Sequence, residues 1–259
     1  MTRSVYVRRR PRVTDAWLDR LLPASCVSCG SRLDDAGRGL ELCRRCRGRL
    51  VAWPTTVCPG CGEPGPRDTG ALCAELCARC RARPLPWSRL ICGWRYQEPM
   101  DAVVKALKFG RQDYLASYWG DALAYRVVGA ALPSFDAVVP IPLHWRRRMS
   151  RGYNQAALLA EPLARACDAP LRSLLARPRA TTQRSLLPAA ARQPLGEAFR
   201  ARQRSPTTVA LVDDVMTSGA TLASAARALR HAGAREVVAV TLARTPDTPL
   251  AADVVYDCK

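Results

Sequence analysis

Apolar positions in this chain keep two different rhythms, and the change between them falls near residue 88. Beyond it, short unbroken apolar runs alternate with segments whose apolar residues recur every three or four positions. Leu90–Tyr96, Phe135–Pro142, Thr208–Val212 and Glu236–Leu242 read as strands, the last apolar enough to be buried on both faces. Met100–Phe109 reads as a helix with Val103, Val104 and Leu107 on one face, and Tyr114–Leu132 and Tyr153–Cys167 as two more. Gly219–Ala232 turns Leu222, Ala226 and Leu229 inward and is closed by Gly233, the residue type that best takes the turn after a helix. Strands alternating with helices predict an α/β domain over residues 88–247, its sheet mostly parallel with helices on both faces. Within it, Arg177–Arg204 is rich in Arg and Ala and keeps no period, and residues 248–259 form a tail.

Before residue 88 the pattern is poorer. Residues 1–24 read as a basic arm and a short amphipathic helix with Trp17, Leu18, Leu21 and Leu22 on one side. Residues 25–82 are punctuated by Gly30, Gly48, Gly60 and Gly62 and hold too few apolar side chains to build a core unaided. The stretch RARPLPW (Arg81–Trp87), with two prolines, marks a boundary. No apolar run is long enough to span a bilayer, and the start of the chain lacks the apolar stretch of a secretion signal. The expectation is a cytoplasmic protein without membrane insertion. Secreted, fibrous and wholly disordered classes drop out.

Charge narrows the partners. The 259 residues carry 40 basic and 22 acidic side chains, a net +18, and all the basic residues except Lys105, Lys108 and Lys259 are arginines. Such a field attracts polyanions, either nucleic acid or a phosphorylated ligand. A chain this rich in Ala, Arg and Pro also fits GC-rich coding, which enriches arginine without selection for binding. The electrostatic consequence is the same in both cases.

Nine of the 12 cysteines fall between Cys26 and Cys80, where a reducing cytosol argues against disulfides. Eight form four CxxC pairs: Cys26/Cys29, Cys43/Cys46, Cys58/Cys61 and Cys77/Cys80. Each pair presents two thiolates to one tetrahedral ion, and two pairs joined by roughly 12–20 residues make a four-cysteine ribbon. The gaps Gly30–Leu42 and Gly62–Leu76 fit that range twice, so one or two structural Zn2+ ions are expected. Pairing in sequence order is the simpler arrangement, and an interleaved one also satisfies the spacing. Glycine after the second cysteine (Gly30, Gly62) allows the tight turn that aims amides at sulfur. Cys73 is a surplus thiol whose spacing to Cys77 does not suit a knuckle. No thioredoxin-like pattern surrounds the pairs, so a redox role has little support. A closed four-thiolate site has no open coordination position, so the metal is expected to fold the module and not to catalyse.

The most informative string is VALVDDVMTSGATL, Val209–Leu222. An apolar strand ends in Asp213 and Asp214, a Thr/Ser/Gly loop follows, and a helix begins. Unpaired amides and the positive dipole end of that helix make an anion site at the carboxyl edge of a parallel sheet. Gly219 allows close backbone approach, while Thr217, Ser218 and Thr221 add hydroxyl donors. The two acids would repel a phosphate and are expected to face a neutral hydrogen-bonding group such as a ribose diol. The string is not a Walker loop, since GxxxxGK[ST] is missing.

This string resembles the phosphoribosyl pyrophosphate (PRPP) motif of type I phosphoribosyltransferases. Together with the zinc ribbons it is similar to the ComF/GntX family, over Pro23–Arg244, and the segments VPIPLH (Val139–His144) with Arg147, and RGYNQ (Arg151–Gln155), also match. The resemblance implies a type I phosphoribosyltransferase-like fold. It implies that Asp213 and Asp214 hold the ribose 2′- and 3′-hydroxyls and that Val215, Met216, Thr217, Ser218, Gly219, Ala220 and Thr221 cradle the 5′-phosphate. Pro140, Ile141, Pro142 and Leu143 would take the pyrophosphate, Lys108 matches a family position, and Mg2+ would accompany PRPP. Arg177–Arg192 would be the loop closing over the site, with Pro194 and Glu197 standing where relatives commonly carry Asn and Gly; Tyr153 stands where Phe is commoner. A link to uptake of single-stranded DNA in natural competence, and to a competence or helicase partner protein, follows from the same resemblance.

Two functions are therefore expected: a phosphoribosyltransferase of unknown acceptor that releases pyrophosphate, or a non-catalytic single-stranded-DNA-handling accessory that uses the fold as a PRPP sensor or scaffold. Arg146, Arg147, Arg148 and Arg151 can neutralise a leaving pyrophosphate or form a solvated basic face. His144 is expected to serve structure rather than acid–base catalysis, and His231 to complement a helix end. For DNA, Arg44, Arg45, Arg47, Arg49 and Arg79 with Trp53 and Trp87 would supply phosphate contacts and base stacking.

Overall fold

The computed structural model describes residues 24–34, 37, 39–63, 75–82, 84–109, 114–130, 132–177 and 198–245. The basic arm, Cys73, most of the Arg177–Arg192 segment, Pro194, Glu197 and the tail lie outside the described residues.

Two short helices sit in the cysteine-rich part, α1 (Arg44–Arg47) and α2 (Ala78–Ala82). The rest runs β1 (Arg89–Arg95), α3 (Met100–Phe109), α4 (Tyr114–Val128), β2 (Ala137–Pro140), α5 (Trp145–Arg151), α6 (Gln155–Ala166), β3 (Leu175–Ala176), β4 (Arg200–Ala201), β5 (Thr208–Met216), α7 (Ala220–His231) and β6 (Glu236–Arg244). Four strands form one sheet in the order β1-β6-β5-β2, and every neighbouring pair is parallel. Because successive side chains alternate across the sheet, β5 sends Ala210 and Val212 to one face and Val209 and Leu211 to the other. The first face packs against α3, α4 and α6 through Val103, Leu107, Trp119, Leu123, Leu159 and Leu163. The second packs against α7 through Leu222, Ala225, Ala226 and Leu229. The expected parallel sheet with helices on both faces is therefore present.

Several boundaries differ from the sequence reading. The strand expected to stop at Val212 continues to Met216, because β6 stays in register alongside it, with Asp213 opposite Thr241 and Met216 opposite Arg244. Both acids are thus strand residues. The helix expected to reach Leu132 ends at Val128. The unperiodic stretch after Arg177 contributes β4, which pairs antiparallel with β3.

The cysteine-rich part docks on the sheet's β1 side. Leu90 N donates to Pro59 O at 2.8 Å, Trp53 N to Gly93 O at 2.9 Å and Arg95 N to Val51 O at 2.9 Å. Trp53 and Trp87 are 2% and 4% exposed. Their indoles donate to Gly62 O (2.6 Å) and Gly60 O (2.7 Å). The base-stacking role expected for these two rings is overturned: they are interior, gripping the knuckle backbone. At the opposite margin, Val138 N donates to Pro170 O and Arg172 N to Val138 O, each at 2.9 Å.

Candidate functional site

The four CxxC pairs close in sequence order. Cys26, Cys29, Cys43 and Cys46 converge in one cluster, and Cys58, Cys61, Cys77 and Cys80 in another, with all sulfurs of each within 4.8 Å of one another. Thiolate–zinc bonds of about 2.3 Å at tetrahedral angles put sulfurs about 3.8 Å apart. The Cys29–Cys43 and Cys61–Cys77 Sγ separations are both 3.7 Å. Both quartets fit structural Zn2+. The glycine after each knuckle is left-handed, Gly30 at φ +73 and Gly62 at φ +72. Its own amide closes the turn onto a carbonyl, Cys26 O or Cys58 O, at 2.8 Å in both cases. Other amides do reach sulfur: that of Cys77 lies 3.3 Å from Cys58 Sγ, and those of Cys46 and Glu63 donate to the Cys43 and Cys61 sulfurs.

The ribbon arginines expected to meet DNA are partly spent on local acids. Arg47 grips Asp34 with both terminal nitrogens at 2.8 and 3.0 Å, and Arg49 lies 3.0 Å from Glu98. Arg44 and Arg45 are exposed on α1.

At the carboxyl end of β5 the structure brings together residues far apart in sequence. Asp214 is buried, and Lys108 at the end of α3 reaches its Oδ2 at 2.7 Å. Asp213 turns its Oδ1 back to accept from the Asp214 amide at 2.9 Å. It is half-buried, and desolvation lifts its pKa well above the ordinary carboxylate range. The charge of Asp214 adds to the rise and Lys108 opposes it. Further cations lie near the pair. Arg151 is within electrostatic reach of Asp214 and Arg147, and Arg177 of Asp213 and Arg147. His144 has its pKa lowered, first by desolvation and then by Arg177, Arg146 and Arg147.

The backbone around the acids is fixed from several sides. Pro140 pairs with Val212, and Ile141 N donates to Val212 O at 2.9 Å, so the Pro140–Leu143 loop leaves β2 beside the carboxyl end of β5. The RGYNQ segment secures that loop. Asn154 caps α6, accepting from Ala156 N at 3.2 Å, and donates its Nδ2 to Ile141 O at 3.0 Å. Tyr153 Oη donates to Leu107 O at 2.6 Å, which ties the segment to the helix carrying Lys108. The phenol therefore has a partner that phenylalanine would lack. Sequence reading places Lys108 among the PRPP-binding candidates without a defined role and names Arg177 only as the start of the closing loop, since both meet the acids only through the tertiary fold.

The loop after β5 is short. Thr217, Ser218 and Thr221 are exposed, and Ala220 and Val215 are half-buried. Met216 is a buried strand residue whose side chain packs beneath the loop against Gly219. Gly219 precedes α7 at φ +74, and a Cβ there would meet Met216 Cε at 2.8 Å and Trp87 Cη2 at 3.5 Å. Its lack of a side chain thus serves interior packing, and the loop leans on the same tryptophan that grips the second knuckle.

The whole arrangement has counterparts. A double zinc ribbon domain model matches residues 17–81 and a phosphoribosyl transferase domain model matches 154–259. "Competence protein F" of Haemophilus influenzae is 32% identical over 234 residues, covering 85% of this chain and 96% of the relative. "DNA utilization protein YhgH" of Salmonella typhimurium is 34% identical, covering 86% and 98%. "Competence protein ComFC" of Bacillus subtilis is 31% identical, covering 85% and 95%. Among solved structures, the allosteric regulatory enzyme of purine biosynthesis aligns with 54% of this chain and 30% of its own, at 21% identity and a TM-score of 0.40. Zinc quartets, parallel sheet and near-full-length similarity to competence and DNA-utilization proteins agree: the chain belongs to the ComF family.

Proposed function

We propose that this chain binds PRPP at the carboxyl end of β5 and works in the handling of DNA taken up by the cell. One observation carries the PRPP reading: a buried, lysine-paired carboxylate, Asp214, and its half-buried neighbour Asp213 stand close to Lys108, Arg151 and Arg177, with Arg147 beside the two arginines. Acids flanked in this way by cations suit a ligand with neutral hydroxyls at its centre and phosphates at its ends. Asp213 and Asp214 would accept from the ribose hydroxyls, with Lys108 keeping the buried acid from standing alone. The amides of Val215–Thr221 and the hydroxyls of Thr217, Ser218 and Thr221 would take the 5′-phosphate. The Pro140–Leu143 loop, Arg147 and Arg151 would take the pyrophosphate. Mg2+ would be held chiefly by ligand oxygens and water, with the acids in the outer sphere, and would neutralise the pyrophosphate.

In the enzymatic reading, a nitrogen nucleophile forms the bond to ribose C1 while the C1–O bond breaks, pyrophosphate departs with the electron pair, and the nitrogen loses its proton. The transition state is oxocarbenium-like, so the protein's work is to position the reactants and stabilise charge. The non-catalytic reading, in which PRPP is sensed while DNA is handled, is favoured by the names of the relatives and by the +18 charge. Titration calorimetry with PRPP, with and without Mg2+, tests the site. Asp213→Asn with Asp214→Asn should abolish binding in a folded protein, and unchanged affinity would overturn the site. Pyrophosphate release on screening nucleobases separates enzyme from sensor.

A further inference from the structure

Helix α5 buries none of its residues, which is unusual for a helix carrying a tryptophan and a methionine. Trp145 is 46% exposed and Met149 79%. At 100° per residue, Trp145, Met149, Arg146 and Arg148 share the outer face, while Arg147 and Arg151 share the face turned to the acids. The helix contains four arginines and no acid in WRRRMSR. Arg146 lies over the Trp145 ring at 5.4 Å. On the far side of the helix Arg151 lies over Phe109 at 4.8 Å, and that ring is 72% exposed. Planar rings interleaved with guanidinium groups, both rings exposed, do not match a small phosphate, which offers no apolar face. They do not match an apolar protein surface either, since burying so many arginines there would be costly.

We propose that α5 is a stacking platform for a single strand of nucleic acid: a base stacks on Trp145, Met149 widens the apolar step, and Arg146 and Arg148 contact the flanking phosphates. The strand is single because a ring can stack only on a base not already covered on both sides by duplex neighbours. This relocates the DNA contact from the ribbon tryptophans, which are interior, to the rim of the proposed PRPP site. It rests on the DNA-handling reading above but not on PRPP binding, since the two sets of arginines lie on opposite faces of the helix.

The test uses the full-length zinc-loaded protein and a fluorescein-labelled oligo-dT of about 20 nucleotides at about 50 mM salt, by anisotropy. Trp145→Ala should weaken binding by roughly 5- to 150-fold, and Trp145→Phe should restore most of it. Arg146→Ala with Arg148→Ala should weaken binding and flatten its salt dependence. PRPP affinity, measured by calorimetry on the same Trp145→Ala protein, should be unchanged, which also reports an intact fold. No oligo-dT binding by the wild-type protein would overturn both the DNA reading and the platform. Wild-type binding undiminished in Trp145→Ala would overturn the platform alone, and so would equal affinity for a duplex of the same length.

Discussion

At the scale of single residues, the informative contact joins two positions more than a hundred apart. Lys108 neutralises a buried carboxylate, and removing one partner of such a pair leaves the other charge stranded. Lys108→Met should therefore destabilise the protein by about 1–3 kcal/mol, discounted for the partial exposure of the lysine, and adding Asp214→Leu should recover part of the loss. Urea unfolding of the two single variants and the double variant measures the coupling. Asp213 makes a prediction with a definite sign. Its folded pKa lies above the unfolded value of about 4, so the folded state holds the proton more tightly. Stability from this group is fully present below the unfolded pKa and is lost as pH rises through the folded one. Asp213→Asn should then gain on wild type as pH rises from about 4, with the two converging at the acid end. Urea midpoints across that range would show the reverse if the acid were stabilised as a carboxylate. The aspartate pair is legible as a pair in the sequence, but its environment is not. The lysine and the arginines around it come from α3, α5 and the segment beside β3.

At the scale of elements, signals confined to a few neighbouring residues are legible and pairing-dependent ones less so. The CxxC knuckles and the apolar faces of α3 and α7 are written within a few residues of each other, so spacing suffices. The end of β5 escapes such a reading because two acids look like loop, while the register with β6 holds them in the sheet. Trp53 and Trp87 escape it because only docking of the ribbon reveals which carbonyls their indoles meet. The segment after β5 carries the next prediction. Gly219→Ala forces a side chain into a left-handed residue and against Met216, and should cost about 1–2 kcal/mol or somewhat more. Denaturant unfolding gives the number, and a neutral result would mean the segment can shift. Trp87→Phe keeps most of the ring and loses the indole donor to Gly60 O, so about 1 kcal/mol should go. Trp87→Ala should cost about 3–5 kcal/mol.

At the scale of the whole molecule, the ribbons and the α/β domain share interior. Cys26, Leu33, Leu42 and Cys46 belong to the same apolar cluster as Trp119 and Leu163. Buried Arg244, at the end of β6, pairs with Glu63 beside the second knuckle and lies over Trp53 at 4.9 Å. Metal binding and folding are therefore one equilibrium. Cys58→Ser, or removal of zinc by a strong chelator, should lower the melting temperature of the entire chain in a single calorimetric transition. A separate low-temperature ribbon transition over an unmoved main peak would refute the shared interior.

The backbone contacts at the two margins of the sheet have a consequence for behaviour in crowded solution. On one side the Val51–Trp53 segment runs along β1, and on the other Pro170–Arg172 runs along β2. Neither outer strand offers a bare ladder for a second molecule to extend, which is the usual route by which parallel sheets nucleate aggregates. Clipping the chain near residue 84, so that the metal-bearing segment can leave, would uncover β1. The shortened protein should then self-associate into species that scatter light and bind thioflavin, while the intact chain stays dispersed.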